Sequence, residues 1–307
     1  GSQDSYGPVF SGDGRRLALA SVATNLLGEP WFAAGQLFFD DTGILNPDAA
    51  LARATNGSWR GGGAVGTNQS TLEQPLAFNS PRDFFLRVTD FSGLGGAVLV
   101  TGPTGNVTDW AVRYFADSSG GLEVTASLPG GWTYNPGTNA LDLRLRVRVT
   151  ILTTNAPAAF VINVRSADFP ALQENIVVPL AQDFDNDGLA DAWERSYFTN
   201  LTAAGANSDF DGDGQTDRQE YVAGTDPKNP ASVLRLNVQS LGANAAMLYL
   251  PATHTNRYYR LEASPALGGD FTRHAAEQRG TGGLLLLPDT PPISPTNGFY
   301  RVRAELP

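Results

Sequence analysis

The stretch LDLRLRVRVTI, residues 141–151, alternates without a break. Leu141, Leu143, Leu145, Val147, Val149 and Ile151 fall on one side, and Asp142, Arg144, Arg146, Arg148 and Thr150 on the other. Successive side chains of a strand point to opposite faces, so this pattern describes an antiparallel strand with one face in a core and the other in water. Outward from it, the same two-residue period recurs over 84–89, 97–101, 110–115, 122–127, 160–165 and 175–180. Turn clusters such as DSSGG (117–121) and NPGTN (135–139) separate these runs. Seven short strands in about 100 residues predict a two-sheet sandwich. Further strands are expected at 234–238, 246–250, 258–263, 284–287 and 299–303.

Composition bounds the rest. At 307 residues, with 41% apolar and 17% charged side chains, the chain is globular and long enough for several small cores. Its 34 glycines and 20 prolines favour short strands joined by many turns. The absence of cysteine excludes disulfides, thiolate metal sites and cysteine nucleophiles. Lys228 is the sole lysine, which leaves little room for lysine–asparagine crosslinks. No run reaches the roughly 18 apolar residues of a membrane span. The net charge of −10 argues against nucleic acid as a main partner. No signal peptide is visible. The opening Gly1-Ser2 reads as a cloning remnant, which leaves open both a removed leader and a longer parent chain.

The acid is concentrated. Ten of the 31 carboxylates lie between Asp183 and Glu220. Residues 183–194 read DFDNDGLADAWE and residues 209–220 read DFDGDGQTDRQE, each with acids at positions 1, 3, 5, 9 and 12 and glycine at 6. This is the spacing of an EF-hand-type calcium loop. Calcium takes six to eight oxygens, and a short loop wraps it only by turning sharply at its midpoint, which Gly188 and Gly214 permit. The expected ligands of two ions are Asp183, Asp185, Asp187, the Leu189 carbonyl, Asp191 and Glu194 in one loop. In the other they are Asp209, Asp211, Asp213, the Gln215 carbonyl, Asp217 and Glu220. Asp191 and Asp217 would act directly or through water, and the two glutamates would supply two oxygens each from the first turn of a short helix. The residues before Asp183, IVVPLAQ, are strand-like, so no entering helix is expected.

Several stretches resemble known families. From about residue 46 to 180, FFLRVTDFSGLGGAVLVTGPTG, WAVRYFADSSGGLEVTASLPGGW and LDLRLRVRVTI resemble an immunoglobulin-like repeat of large bacterial surface proteins. That resemblance implies a spacer or adhesion module. The paired loops resemble dockerin and thrombospondin type 3 repeats. Dockerins carry an aliphatic residue at position 8, where this chain has Ala190 and Thr216. YGPVFSGDGRRLALASVATNLL with GQLFFDD resembles one blade of a β-propeller, carried by Ser11-Gly12-Asp13-Gly14 and Leu17–Ala20. YYRLEASPAL, GTGGLLLLPD and FYRVRAEL resemble a small β-sandwich that closes long bacterial secreted proteins.

The expected fold class is therefore mainly β, with immunoglobulin-like sandwich modules joined by a small α-containing tandem calcium-loop module. The expected divisions are 1–43 (blade-like), 44–180 (immunoglobulin-like), 181–230 (calcium loops) and 231–307 (terminal sandwich). His254 and His274 sit beside no nucleophile motif, so no catalytic residues are assigned and no enzyme is expected. Trp59, Trp110 and Trp132 could stack sugars, but Trp110 on an alternating strand reads better as core. The function expected is an extracellular or cell-surface structural or adhesive protein with two calcium ions, with self-association through β-edges, even into a filament, as a further option. The alternative is a carbohydrate-binding or dockerin-like module of a larger secreted assembly or enzyme.

Overall fold

A computed structural model describes residues 9–10, 16–21, 36–41, 47–55, 59–61, 68–70, 74–90, 96–116, 121–136, 141–242, 245–288 and 298–306. The protein is mainly β, with two short helices and sheets that are antiparallel apart from two short parallel pairings. It divides into two compact units, one comprising 1–72 and 81–179, the other 73–80 and 180–307.

The first unit is built on two five-stranded sheets. One runs in the order Trp110–Phe115, Asp142–Ile151, Arg82–Asp90, Pro47–Ala52, Arg60–Gly61. The other runs Trp132–Tyr134, Val98–Thr101, Ala159–Ser166, Gln173–Pro179, Asn68–Ser70. The 141–151 stretch forms the strand its alternation predicts, and Leu143, Leu145, Val147, Val149 and Ile151 are all buried. Phe84, Leu86 and Val88 join them from the neighbouring strand, and Val98, Val100, Ile162, Val164, Ile176 and Val178 from the second sheet. Glu174 is also inside, where its carboxylate accepts a 2.6 Å hydrogen bond from the Ala49 amide of the first sheet. A buried polar group is tolerable only when bonded in this way.

Trp110 is half-buried against Phe160, with ring centroids 5.5 Å apart. Tyr114 is fully buried and donates its hydroxyl to the Pro103 carbonyl at 2.9 Å. The strand expected at 122–127 is not a strand. Glu123 makes a single bridge to Phe115, and the chain then enters a 3-10 turn at Thr125–Ser127. The Thr125 hydroxyl accepts from the Tyr114 amide at 2.9 Å, so a side chain takes the place of a backbone rung.

The blade-like segment forms a three-stranded antiparallel sheet of Val9–Phe10, Arg16–Ser21 and Gln36–Asp41. The Ser11–Gly14 turn that carries that resemblance lies outside the described residues, as do 91–95, 117–120 and 137–140.

In the second unit, Pro75–Ala77 pairs in parallel with Ala181–Asp183. Helices α1 (Asp191–Tyr197) and α2 (Asp217–Ala223) follow. A three-stranded sheet then runs Asn237–Gly242, Ala245–Leu250, Leu285–Leu287. Tyr258–Ser264 pairs with Thr272–Arg273, Gln278–Arg279 and Phe299–Glu305. The strand expected from Leu234 begins at Asn237, and Leu234 and Leu236 instead pack beside the Leu248, Leu250, Tyr259, Leu261, Leu285 and Leu287 core.

Replacing the fully buried Leu145 by alanine is expected to cost about 2–5 kcal/mol. Tyr114→Phe, which orphans one carbonyl, is expected to cost about 1 kcal/mol. Urea unfolding of both variants checks the order.

Candidate calcium-binding loops

Each loop begins where a strand or turn delivers an aspartate and ends where a short helix delivers a glutamate. Asp183 closes the strand paired with Pro75–Ala77, and its carbonyl accepts from the Phe78 amide at 3.1 Å. Phe78 and Phe184 stack beside it at 5.1 Å. Segment 75–78 thus braces the entry to the first loop, a partner that nothing in local sequence indicates.

The two loops make the same bonds. Asp183 accepts from the Gly188 amide at 3.0 Å, and Asp209 from the Gly214 amide at 2.9 Å. Asp187 accepts from Leu189 N at 2.8 Å, and Asp213 from Gln215 N at 2.7 Å. Asp191 accepts from Phe184 N at 2.8 Å, and Asp217 from Phe210 N at 3.0 Å. Gly188 and Gly214 hold φ of 93° and 94°, the left-handed turn that other residues resist.

Oxygens of Asp183, Asp185 and Asp187 lie within 4.8 Å of one another, as do those of Asp209, Asp211 and Asp213. Glu194 and Glu220 stand in the first turns of α1 and α2, both 0% exposed. Asp191 and Asp217 brace the loops with both oxygens: Asp191 also takes Arg195 at 3.0 Å, and Asp217 takes the Ser208 hydroxyl at 2.5 Å. Leu189 and Gln215 occupy the seventh positions, and the Leu189 side chain is buried in the core beneath.

The donor set fits a divalent cation. Asp187 Oδ2, both oxygens of Glu194, Asp211 Oδ2, Asp213 Oδ2 and Glu220 Oε2 are buried with no hydrogen-bond partner. Burying an unpaired carboxylate is costly, and the ordinary escape is protonation. Burial, reinforced by the neighbouring aspartates, pushes Glu194 up to about 8. Burial likewise raises Glu220 to about 7 and Asp183 to about 6. Calcium would supply the missing partner for these oxygens.

The loops are fixed to their own unit from below. Leu189, Ala190, Phe198, Ala204, Tyr221 and Leu306 form one core, with Trp193 edge-on to Tyr221 at 5.4 Å. Helix α2 starts on a capping box, with Thr216 accepting from Gln219 N and Gln219 Oε1 accepting from Thr216 N. It ends at Gly224 with φ 76°, where a Cβ would lie 2.5 Å from that of His254. Its last carbonyls are held by Arg257, which donates to Tyr221 O at 3.1 and 2.8 Å, and by the Tyr259 hydroxyl, which donates to Ala223 O at 2.8 Å. Lys228 reaches the Tyr197 carbonyl at the end of α1, at 3.2 Å. Arg218 crosses from α2 to the first loop and donates to Gly188 O at 2.5 Å. The T-x-x-Q spacing of the capping box is readable in sequence, whereas the reach of Arg218, Arg257 and Tyr259 is not.

The bacterial TSP3 repeat family matches residues 183–200 and 209–230. No curated protein matches the chain. Among solved structures, domains 4 and 5 of the S-layer protein SbsC align at 13% identity and TM-score 0.19, over 38% of this chain and 49% of that one. The BSP domain of a biofilm associated protein aligns at 14% identity and TM-score 0.27, over 85% and 51%. A mutant of the SrpA adhesin from Streptococcus sanguinis aligns at 16% identity and TM-score 0.24, over 60% and 88%. The chain spans about half the length of the first and second of these structures.

Two outcomes follow from the loop geometry. With Glu194 and Glu220 raised to about 8 and 7 in the folded state, the metal-free native protein holds more protons than the unfolded chain above about pH 4.5. Its stability therefore falls as pH rises from about 4.5 to 8, and melting temperature in metal-free buffer across that window measures it. Arg218→Gln is expected to weaken calcium at the first loop several-fold while sparing the second, as read by two-site calorimetry.

Proposed function

We propose that this chain is a non-catalytic extracellular structural or adhesive protein whose second unit is locked by two calcium ions, one in each loop. The observation that carries this reading is the pair of fully buried glutamates at position 12 of two equivalent loops: neither oxygen of Glu194 has a hydrogen-bond partner, and Glu220 Oε2 has none while its Oε1 accepts from the Thr225 hydroxyl at 3.1 Å. The match to the bacterial TSP3 repeat over both loops supports it. The proposed ligands are the carboxylates at positions 1, 3, 5 and 12 and the carbonyls of Leu189 and Gln215, with Asp191 and Asp217 bracing the loops.

A stabilising role, as opposed to a sensing one, is supported by what the loops rest on. The core beneath them includes Leu306 from the terminal strand region, and Arg257 and Tyr259 tie α2 to the sheet that follows. Calcium would therefore stiffen a unit that extends to the end of the chain. A dockerin-like role fits less well: Ala190 is buried and the Thr216 side chain caps α2, so neither position 8 is offered to a partner. Both histidines have structural settings: His254 Nδ1 accepts from Asn256 N at 3.1 Å, and His274 packs edge-on to Tyr300 at 5.7 Å. No described helix is long and apolar enough to cross a membrane.

Calorimetric titration of metal-free protein is expected to give two calcium ions per chain, and Glu194→Gln or Glu220→Gln each to abolish one. With free calcium at about 100 times the dissociation constant, each site adds about 2.7 kcal/mol, and the two together raise the melting temperature by roughly 10–20 °C. An unchanged melting temperature in chelator would contradict the reading.

A further inference from the structure

The solvent side of the sheet built on 142–151 carries an unusual charge pattern. Opposite the buried leucines and valines, Arg113, Arg144, Arg146, Arg148 and Arg87 stand on three adjacent strands, against Asp83, Asp142, the nearby Glu123 and Asp48 on the next strand. Register places Arg113 directly across from Arg148 and Arg144 directly across from Arg87. Like charges in directly opposed positions repel, so these two pairs work against the sheet.

Three of the five guanidiniums are neutralised locally. Arg113 pairs with Glu123, Arg148 with Asp83 at 2.7 Å, and Arg144 with Asp142 at 3.1 Å. The other two sit on aromatic rings instead. Arg87 lies over Trp59 at 4.8 Å from the ring centroid, and Arg146 over Phe115 at 4.2 Å. Neither forms an ion pair among the described residues. Arg146 Nε is buried without a hydrogen bond, so the Phe115 ring holds that guanidinium in place.

We propose that this arginine face binds an extended polysaccharide bearing carboxylates, with Arg87 and Arg146 as the primary receivers. Guanidinium forks match planar carboxylates in two-bond geometry, and ring stacking fixes their orientation in advance. The face offers an extended surface of about 10 Å across strands and about 13 Å along them, suited to a polymer more than to a small molecule. Charge density selects among polymers. The arginines alternate with acids and repeat about every 7 Å along a strand. Duplex DNA, with a charge about every 1.7 Å, would press phosphates against Asp83, Glu123 and Asp142. A glycan with well-spaced carboxylates would not. A second copy of the chain is a poorer occupant, because its acid is concentrated in the loops assigned to calcium. The exposed pairs hold loosely in water, so Arg113 (54% exposed) and Arg144 (48%) can exchange partners for a ligand.

This inference rests on the adhesive part of the function proposed above and is independent of the calcium loops. The test is binding of the full chain, with calcium, to immobilised hyaluronan, with dextran and oligo(dT) as comparisons and sedimentation to follow self-association. Hyaluronan is expected to bind in a salt-sensitive manner, dextran and oligo(dT) not. Arg87→Gln with Arg146→Gln is expected to weaken binding at least tenfold. Arg113→Gln with Arg144→Gln, at exposed positions that leave the core intact, is expected to weaken it several-fold at unchanged melting temperature, and decides the case if the first pair fails to fold. No hyaluronan binding, equal binding by the variants, preference for oligo(dT), or self-association lost in the variants in its place would each overturn the proposal. A chain that takes up two calcium ions but ignores hyaluronan would sink this proposal alone.

Discussion

Two carboxylates set the terms for the second unit. Glu194 and Glu220 are fully buried at the starts of α1 and α2, and their oxygens face other acids more than donors. Such groups are either protonated or matched by a cation. Everything nearby arranges itself around that requirement. The aspartates at loop positions 1 and 5 are preoriented by backbone amides, those at position 9 tie the loop back on itself, and the glycines at position 6 let the chain turn. Without a cation the loops store repulsion; with one, the same crowding becomes coordination.

Stiffness supplied by a bound cation would be passed on through packing. The aromatic cluster of Trp193, Tyr197, Phe198, Tyr221 and Phe210 lies under the helices, with ring centroids of successive pairs 4.9–6.4 Å apart. Arg257 and Tyr259 take up the free carbonyls at the end of α2, and Arg218 spans from α2 to the first loop. Seven-residue helices are too short to be stable alone, so both depend on these tertiary bonds, and α2 on its capping box as well. The two sheets of the first unit enclose an apolar core that holds the bonded Glu174, and the face turned to water carries charge.

Much of this was legible in the sequence because periodicity and loop spacing are local signals. The alternation of 141–151 places its core face correctly, the strand-like run before Asp183 does pair as a strand, and Gly224 does end α2 in the left-handed conformation. What failed to show was non-local. The run 122–127 alternates like a strand, yet Thr125 bonds the neighbouring strand through its side chain and the chain turns helical. Residues 75–77 lie within sandwich-like sequence but pair with the entry to the first loop, and no local pattern encodes that partner. The cross-strand arginine pairs follow from register, which alternation alone leaves open.

Two buried glutamates so placed call for calcium between them and the loop aspartates. Anomalous diffraction from crystals grown in millimolar calcium tests that placement most directly. Two anomalous peaks are expected, each within about 2.3–2.6 Å of the carboxylates at positions 1, 3 and 5 and of both oxygens of Glu194 or Glu220. Peaks that leave either glutamate uncoordinated, or loops with the same closed geometry and no peak, would contradict it.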